Sequence, residues 1–169
     1  MEKIKNSFRF YCALLPVFLL AACATSPSSV PEPDVDARVR QPAQQDSAGV
    51  QVFPLENPAV TELLADASAA EDSGQLEQAS MYLERALRIQ PRNPEILQNM
   101  AEVNLQLADY EQALNFAVRS YDLGPRVGEL CSRNWRTISV SREYLGDHSG
   151  SSEAEQRARN CMVTKPEGF

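Results

Sequence analysis

From Val60 onward, apolar residues recur at every third or fourth position, the spacing of one face of a helix. The pattern predicts helices over about 58–73, 76–90, 94–108 and 110–123. Local signals agree with these limits. Asn57-Pro58 and Asn93-Pro94 each offer a capping side chain followed by proline at the first helical position. Gly124-Pro125 ends a helix in the usual order. Leu130, Cys131, Trp135, Ile138 and Leu145 continue the period over about 127–145. Residues 146–150 then read as a turn, and 151–163 as a last helix carrying Ala154, Ala158 and Cys161. The expected fold class is all-α.

The same pattern repeats every 34 residues. Leu63 falls on Leu97, Ala67 on Ala101, Gly74 on Ala108, Ala79 on Ala113, and Pro91 on Pro125. Small residues recur where helices approach closely, large ones where a hairpin fills its core, and prolines where the second helix stops. This spacing resembles the tetratricopeptide repeat. Gly74 stands at the turn, Ala79 at the close-packed position, and Ala86, Leu87, Ile89 and Pro91 complete the first unit. Leu97, Ala101, Tyr110, Ala113, Leu123 and Pro125 supply the second. Departures are Ala70 and Asn104 in place of a large aromatic, Asp66 in place of leucine, and Ala117 in place of a large apolar residue. The resemblance spans 60–127 and implies a short solenoid of about three units, near 60–93, 94–127 and 128–163. The third is degenerate and acts as a cap. Residues 164–169 are a tail.

The amino-terminal third has another pattern. Phe10–Ala22 is an apolar run of 13 residues after Lys3, Lys5 and Arg9, shorter than the roughly 18–20 needed to span a bilayer. With Leu20-Ala21-Ala22-Cys23 at its end, it resembles a bacterial lipoprotein signal of residues 1–22. The resemblance implies cleavage before Cys23 and lipidation there with a diacylglyceryl group and an amide-linked acyl chain such as palmitate. Ala24 in place of aspartate implies sorting to the outer membrane, with the body facing the periplasm. Residues 23–57 carry Pro27, Pro31, Pro33, Pro42 and Pro54 and few apolar side chains, so a disordered tether is expected. One island, Val50, Val52, Phe53 and Leu55, is expected to dock on the first helix, with a linear motif for a partner as the other reading.

Charge and cysteine content narrow the function. The chain carries 16 basic and 23 acidic residues; removal of Glu2, Lys3, Lys5 and Arg9 leaves 13 and 22. An acidic body argues against nucleic acid and against adhesion to anionic lipid by charge. With Cys12 in the signal and Cys23 lipidated, Cys131 and Cys161 remain. An oxidising compartment favours a disulfide between them over two buried thiols.

No nucleophile elbow, phosphate loop or metal-ligand spacing occurs, and His148 is the only histidine. The expectation is a protein that is not an enzyme and takes no cofactor or metal. Position within the repeat places Leu64, Ser68, Glu71, Glu95, Gln98, Glu102, Leu105 and Arg136 on a concave groove. Thr61, Asp72, Gln106, Ser132 and Ser139 are expected beside them. Glu95, Glu102 and Leu105 share a helix face and are the expected recognition set. This acidic, amide-rich surface suits a basic or amphipathic segment of another envelope protein. The expected function is a membrane-anchored periplasmic adaptor for envelope assembly, serving pilus, outer-membrane protein or peptidoglycan machinery. A self-associating structural lipoprotein and a cryptic envelope hydrolase are the alternatives.

Overall fold

The computed structural model describes residues 31–45 and 57–161. The signal 1–22, Cys23, the island at 50–55 and the tail 164–169 lie outside them. All described helices belong to one compact unit that begins at Glu32. A π-helical turn, Asp36–Arg40, runs into α1, Gln41–Gln45. Three antiparallel hairpins follow: α2 (Pro58–Asp72) with α3 (Leu76–Ile89), α4 (Pro94–Gln106) with α5 (Tyr110–Leu123), and α6 (Glu129–Tyr144) with α7 (His148–Asn160).

The start signals act as their chemistry requires. Asn57 Oδ1 accepts from the Ala59 N–H at 3.0 Å, and Asn93 Oδ1 accepts from Glu95 at 2.9 Å. Each supplies a partner to an amide that the helix itself leaves unsatisfied. The three inner turns share one design. Gly74, Ala108 and Gly146 adopt φ of 70°, 57° and 84°. In each, the next residue's N–H reaches a carbonyl five back: Gln75 to Ala70, Asp109 to Asn104, Asp147 to Arg142. This is the Schellman termination, which favours glycine because a Cβ is disfavoured at positive φ. Ala108 occupies that position with a side chain.

The last hairpin differs from expectation at its turn. Residues 148–150 were expected in the turn but form the first turn of α7, because Asp147 caps it, accepting from the Gly150 N–H at 2.9 Å. That bond, with help from Ser149 and Arg142, holds the Asp147 carboxyl below its usual range.

Packing explains the unusual residues of the repeat. Val60, Leu63, Ala67, Ala79, Leu83, Ala86, Ile96, Met100 and Val103 form the core of the first hairpin and its contact with α4. Ala101, Ala117, Ile138 and Ala154 form a second core, flanked by Leu114, Phe116 and Trp135. Ala117 is small because Phe116 and Trp135 supply the volume that a larger side chain would fill. Cys131 and Cys161 are joined, with Cα atoms 5.6 Å apart. Beside them the Gly128 N–H donates to the Cys161 carbonyl at 2.7 Å. A link closing a loop of about 30 residues contributes roughly 3–4 kcal/mol in the chain-entropy model, a substantial share of the stability of a small domain.

Residues 35–45 depart most from expectation. They lie inside the stretch 23–57 expected to be a disordered tether, yet they are helical, and Val35, Val39 and Ala43 are buried. Asp34 opens the segment, accepting from the Ala37 N–H at 2.9 Å. The wide turn, in which the Gln41 N–H donates to the Asp36 carbonyl five residues back, comes just before Pro42. In an ordinary α-turn the proline ring would crowd the carbonyl four residues back; widening the turn relieves this.

Candidate interaction groove

The first helices of the three units, α2, α4 and α6, line the groove, and segment 35–45 is seated in it. Its apolar contacts run along one stripe: Val35 and Val39 pack with Leu105 of α4, Ala113 of α5 and Val140 of α6. Tyr110 and Tyr144 close this cluster, their rings stacked with centroids 4.6 Å apart.

The polar side of the segment is carried by two arginines. Arg40 donates through Nε to Glu102 Oε2 at 2.7 Å and through a terminal nitrogen to Glu71 Oε1 at 2.6 Å. One guanidinium thus joins carboxylates from two repeats. Its other terminal nitrogen pairs with Asp36, one turn back on its own segment, at 3.2 Å. Arg38 pairs with Glu143 of α6.

Glu102 is 0% exposed and sits at the centre. Arg133 of α6 grips it in a fork, with Nε to Oε1 and a terminal nitrogen to Oε2, both at 2.9 Å. Arg133 also reaches Asn99 Oδ1 at 3.0 Å. Gln98 Nε2 donates to Glu102 Oε1 at 2.8 Å and to Thr137 Oγ1 at 2.7 Å. Gln106 Nε2 donates to Glu71. Burial alone would raise the Glu102 pKa, but Arg133 first and then Arg40 overcome it and hold the carboxyl below its usual range. Burial likewise opposes the charge on Arg40, and Glu102 and Glu71 outweigh it, so its pKa is raised. Two carboxylates and two guanidiniums balance in a site from which water is largely excluded.

Of the positions read from the sequence, Glu71, Gln98, Glu102 and Leu105 converge on this cluster. Leu64 packs against the core of the first hairpin, and Ser68 is exposed on α2. Glu95 is half-buried in the first turn of α4 and is not a partner of Arg40 or Arg133. Arg136 donates to Ser132 Oγ at 3.3 Å, one turn back on α6. Ser139 faces away from the groove: its hydroxyl meets the Ser151 carbonyl at 3.0 Å and belongs to the α6–α7 contact. The degenerate third unit lacks the pattern that sets rotational phase in the first two, which accounts for that displacement.

From the sequence, Arg133 and Arg136, three apart on one helix face, read as a solvated face rather than as a site for a carboxylate; Arg133 instead holds the Glu102 carboxylate, and segment 35–45 was missed altogether. A signal for the segment exists. Val35, Val39 and Ala43 are spaced by four, and Asp36 and Arg40 form a same-face pair. Pro33 and Pro42 mask it.

Other surfaces offer less. An open cleft of about 420 Å³ is lined by Ala59, Glu62, Asp66, Arg85 and Arg88 among others, and shares no residue with the groove. Near the disulfide, Arg126 lies over Tyr121, Tyr121 meets Trp135 edge-on, and Arg157 covers Trp135. His148 is exposed at the start of α7. Among the described residues no group of three metal-ligating side chains occurs, and no helix is long and apolar enough to cross a membrane.

Comparison with known proteins places this architecture. The sequence model of the tetratricopeptide repeat matches residues 70–119. Among solved structures, the globular C-terminal domain of P. aeruginosa LpoP is 35% identical, with a TM-score of 0.58. The match covers 62% of this chain and 98% of that one. No curated protein matches in sequence.

Proposed function

The chain belongs to the tetratricopeptide-repeat family and is related to LpoP, and from that premise we propose that it is a lipid-anchored adaptor that binds another protein in the bacterial envelope. The observation that carries this reading is the groove: a concave face built by three repeats, holding a helical segment through two arginines and a stripe of apolar residues. Solenoid repeats use such faces to bind peptides and helices. The partner is a basic or amphipathic segment of an envelope protein, since Glu71, Glu102 and Glu143 are what the groove presents to it.

The anchor is Cys23, lipidated after removal of residues 1–22, and the outer membrane facing the periplasm is the location. Nucleic acid is not a partner of so acidic a chain. The protein acts by binding and not by catalysis. Its machinery is one of pilus, outer-membrane protein or peptidoglycan assembly. Disulfide formation at Cys131 and Cys161 accords with an oxidising compartment.

The reading is tested in intact cells. A photoreactive residue replaces Ser68 or Gln106 at the groove, or Glu153 on α7 as a control. Light-dependent adducts to one defined envelope protein from the groove positions alone support the adaptor. Equal labelling from all three sites, or none, refutes it. Adducts only to a second copy of the chain turn the assignment to a self-associating structural lipoprotein.

A further inference from the structure

The occupant of the groove belongs to the chain itself, and its contacts describe what the groove selects. We infer that the concave face is a receptor for a short arginine-bearing amphipathic helix, and that segment 35–45 is a resident competitor which the partner helix displaces. This deepens the protein-binding reading above and rests on it.

The receptor side is built in advance. Glu102 is held by Arg133 and Gln98, and Gln98 by Thr137, all from the repeats themselves. Glu71 is oriented by Gln106. What the segment adds is one guanidinium between the two carboxylates. Lysine presents a single ammonium on a flexible stem and lacks the planar fork that meets two acceptors on separate helices. The groove therefore selects arginine.

The apolar contacts complete the description. Val35, Val39 and Ala43 are all buried at successive turns of the segment. Relative to the arginine, a ligand helix carries small or β-branched apolar residues at positions −5, −1 and +3. A second basic residue at −2, where Arg38 stands, meets Glu143. An acidic residue at either basic position would face carboxylates and be rejected.

The segment is suited to leaving. It is too short to be helical alone, and Pro42 forces a widened turn at its middle. Covalently it is held only by the chain on either side, through residues 24–34 to Cys23 and through residues 46–56 to α2. That connection gives it an effective concentration in the millimolar range. A free ligand of the same sequence binds poorly while the segment is seated, and a better-formed partner helix wins.

The test uses the full chain and, as probe, a fluorescently labelled peptide of residues 32–45. Arg40→Ala in the chain unseats the resident segment while leaving the receptor side intact. Its repeats should keep their helical circular dichroism, since Glu102 retains Arg133 and Gln98 and Glu71 retains Gln106. The variant should bind the probe at least about tenfold more tightly than the unaltered chain, because the tethered competitor is gone. A probe with alanine at the arginine should bind at least about tenfold more weakly, and one with lysine should fall between. Val35→Asp in the chain is a second route to an empty groove should the first variant fail to fold. Equal weak binding of all probes to all chains overturns the inference. So does a concentration-dependent dimer that Arg40→Ala dissolves, which would place the segment in a second copy. If in-cell adducts from Ser68 persist while the peptide shows no arginine dependence, protein binding stands and this inference falls. Loss of both removes both.

Discussion

Helix α4 is buried on two sides, and the two sides hold opposite chemistry. Ile96, Met100 and Val103 enter the apolar core with the first hairpin. Gln98, Glu102 and Leu105 enter the groove, where a carboxylate with no exposure meets two arginines from other elements. The apolar side is tolerant: its stabilisation scales with area and asks little of direction. The polar side is exacting: each member is acceptable only while its partners are in place. One side gives the repeat its stability and the other decides what may sit on it.

The largest effect is expected from Glu102→Ala. It leaves Arg133 buried without its carboxylate and Arg40 with only Glu71 and the exposed Asp36, and should cost about 3–5 kcal/mol. Chemical denaturation measures the loss. A cost under about 1 kcal/mol would show that the polar side is dispensable. Replacing Arg40, Glu102 and Arg133 together by methionine and leucine should cost less than Glu102→Ala alone, since the one charge left without an opposite partner, Glu71, is part-exposed and keeps Gln106. The same triple variant should lose discrimination between arginine- and lysine-bearing peptides, which fluorescence titration reads. Retained discrimination would contradict the division drawn here between the two sides of α4.

Leu83→Ala, in the apolar core, should cost roughly 2–5 kcal/mol, with hydrogen-exchange protection over 35–45 unchanged from the unaltered chain. Selective loss of protection in that segment would mean that the two sides are coupled.

Acid separates the sides further. Glu102 has its pKa lowered in the folded state. Its contribution is therefore full above the unfolded carboxylate value, near about 4.3, and is lost as pH falls through the folded value. Protection over 35–45, relative to the intrinsic exchange rate at each pH, should fall as pH drops below about 4, before the apolar core yields. Simultaneous loss of both would contradict this order.

The smallest effect concerns the turns. Ala108 sits at φ 57° where its counterparts are glycines. Ala108→Gly should stabilise by about 1 kcal/mol, and Gly74→Ala should destabilise by a similar amount. Thermal melting checks both, and a destabilised Ala108→Gly variant would show that the Ala108 methyl is not a source of strain.

Much of the scaffold was legible because its signals are local. Asn57 and Asn93 announce helix starts, Gly74 and Gly146 announce stops, and the 34-residue period pairs the hairpins. Within the candidate groove, Glu71, Glu102 and Leu105 were legible because the first two units keep their rotational phase. Ser139 was not, because the third unit has lost it. Arg133 read as surface because a charged residue on a helix is usually solvated; its burial depends on Glu102, 31 residues away. Pro33 and Pro42 argue against helix by local rules, and only burial of Val35 and Val39 against α4 and α6 overrides them.

The sequence alone determined the helices, their turns, the repeat and the expected address at Cys23, because caps, periodicity and signal patterns act between residues close in the chain. The tertiary structure decided that residues 35–45 are helical, that Glu102 is buried, and that an arginine is what its surface receives. Those outcomes depend on a low-dielectric site that exists only after three repeats have stacked, where the cost of burying a charge is met by partners far away in sequence.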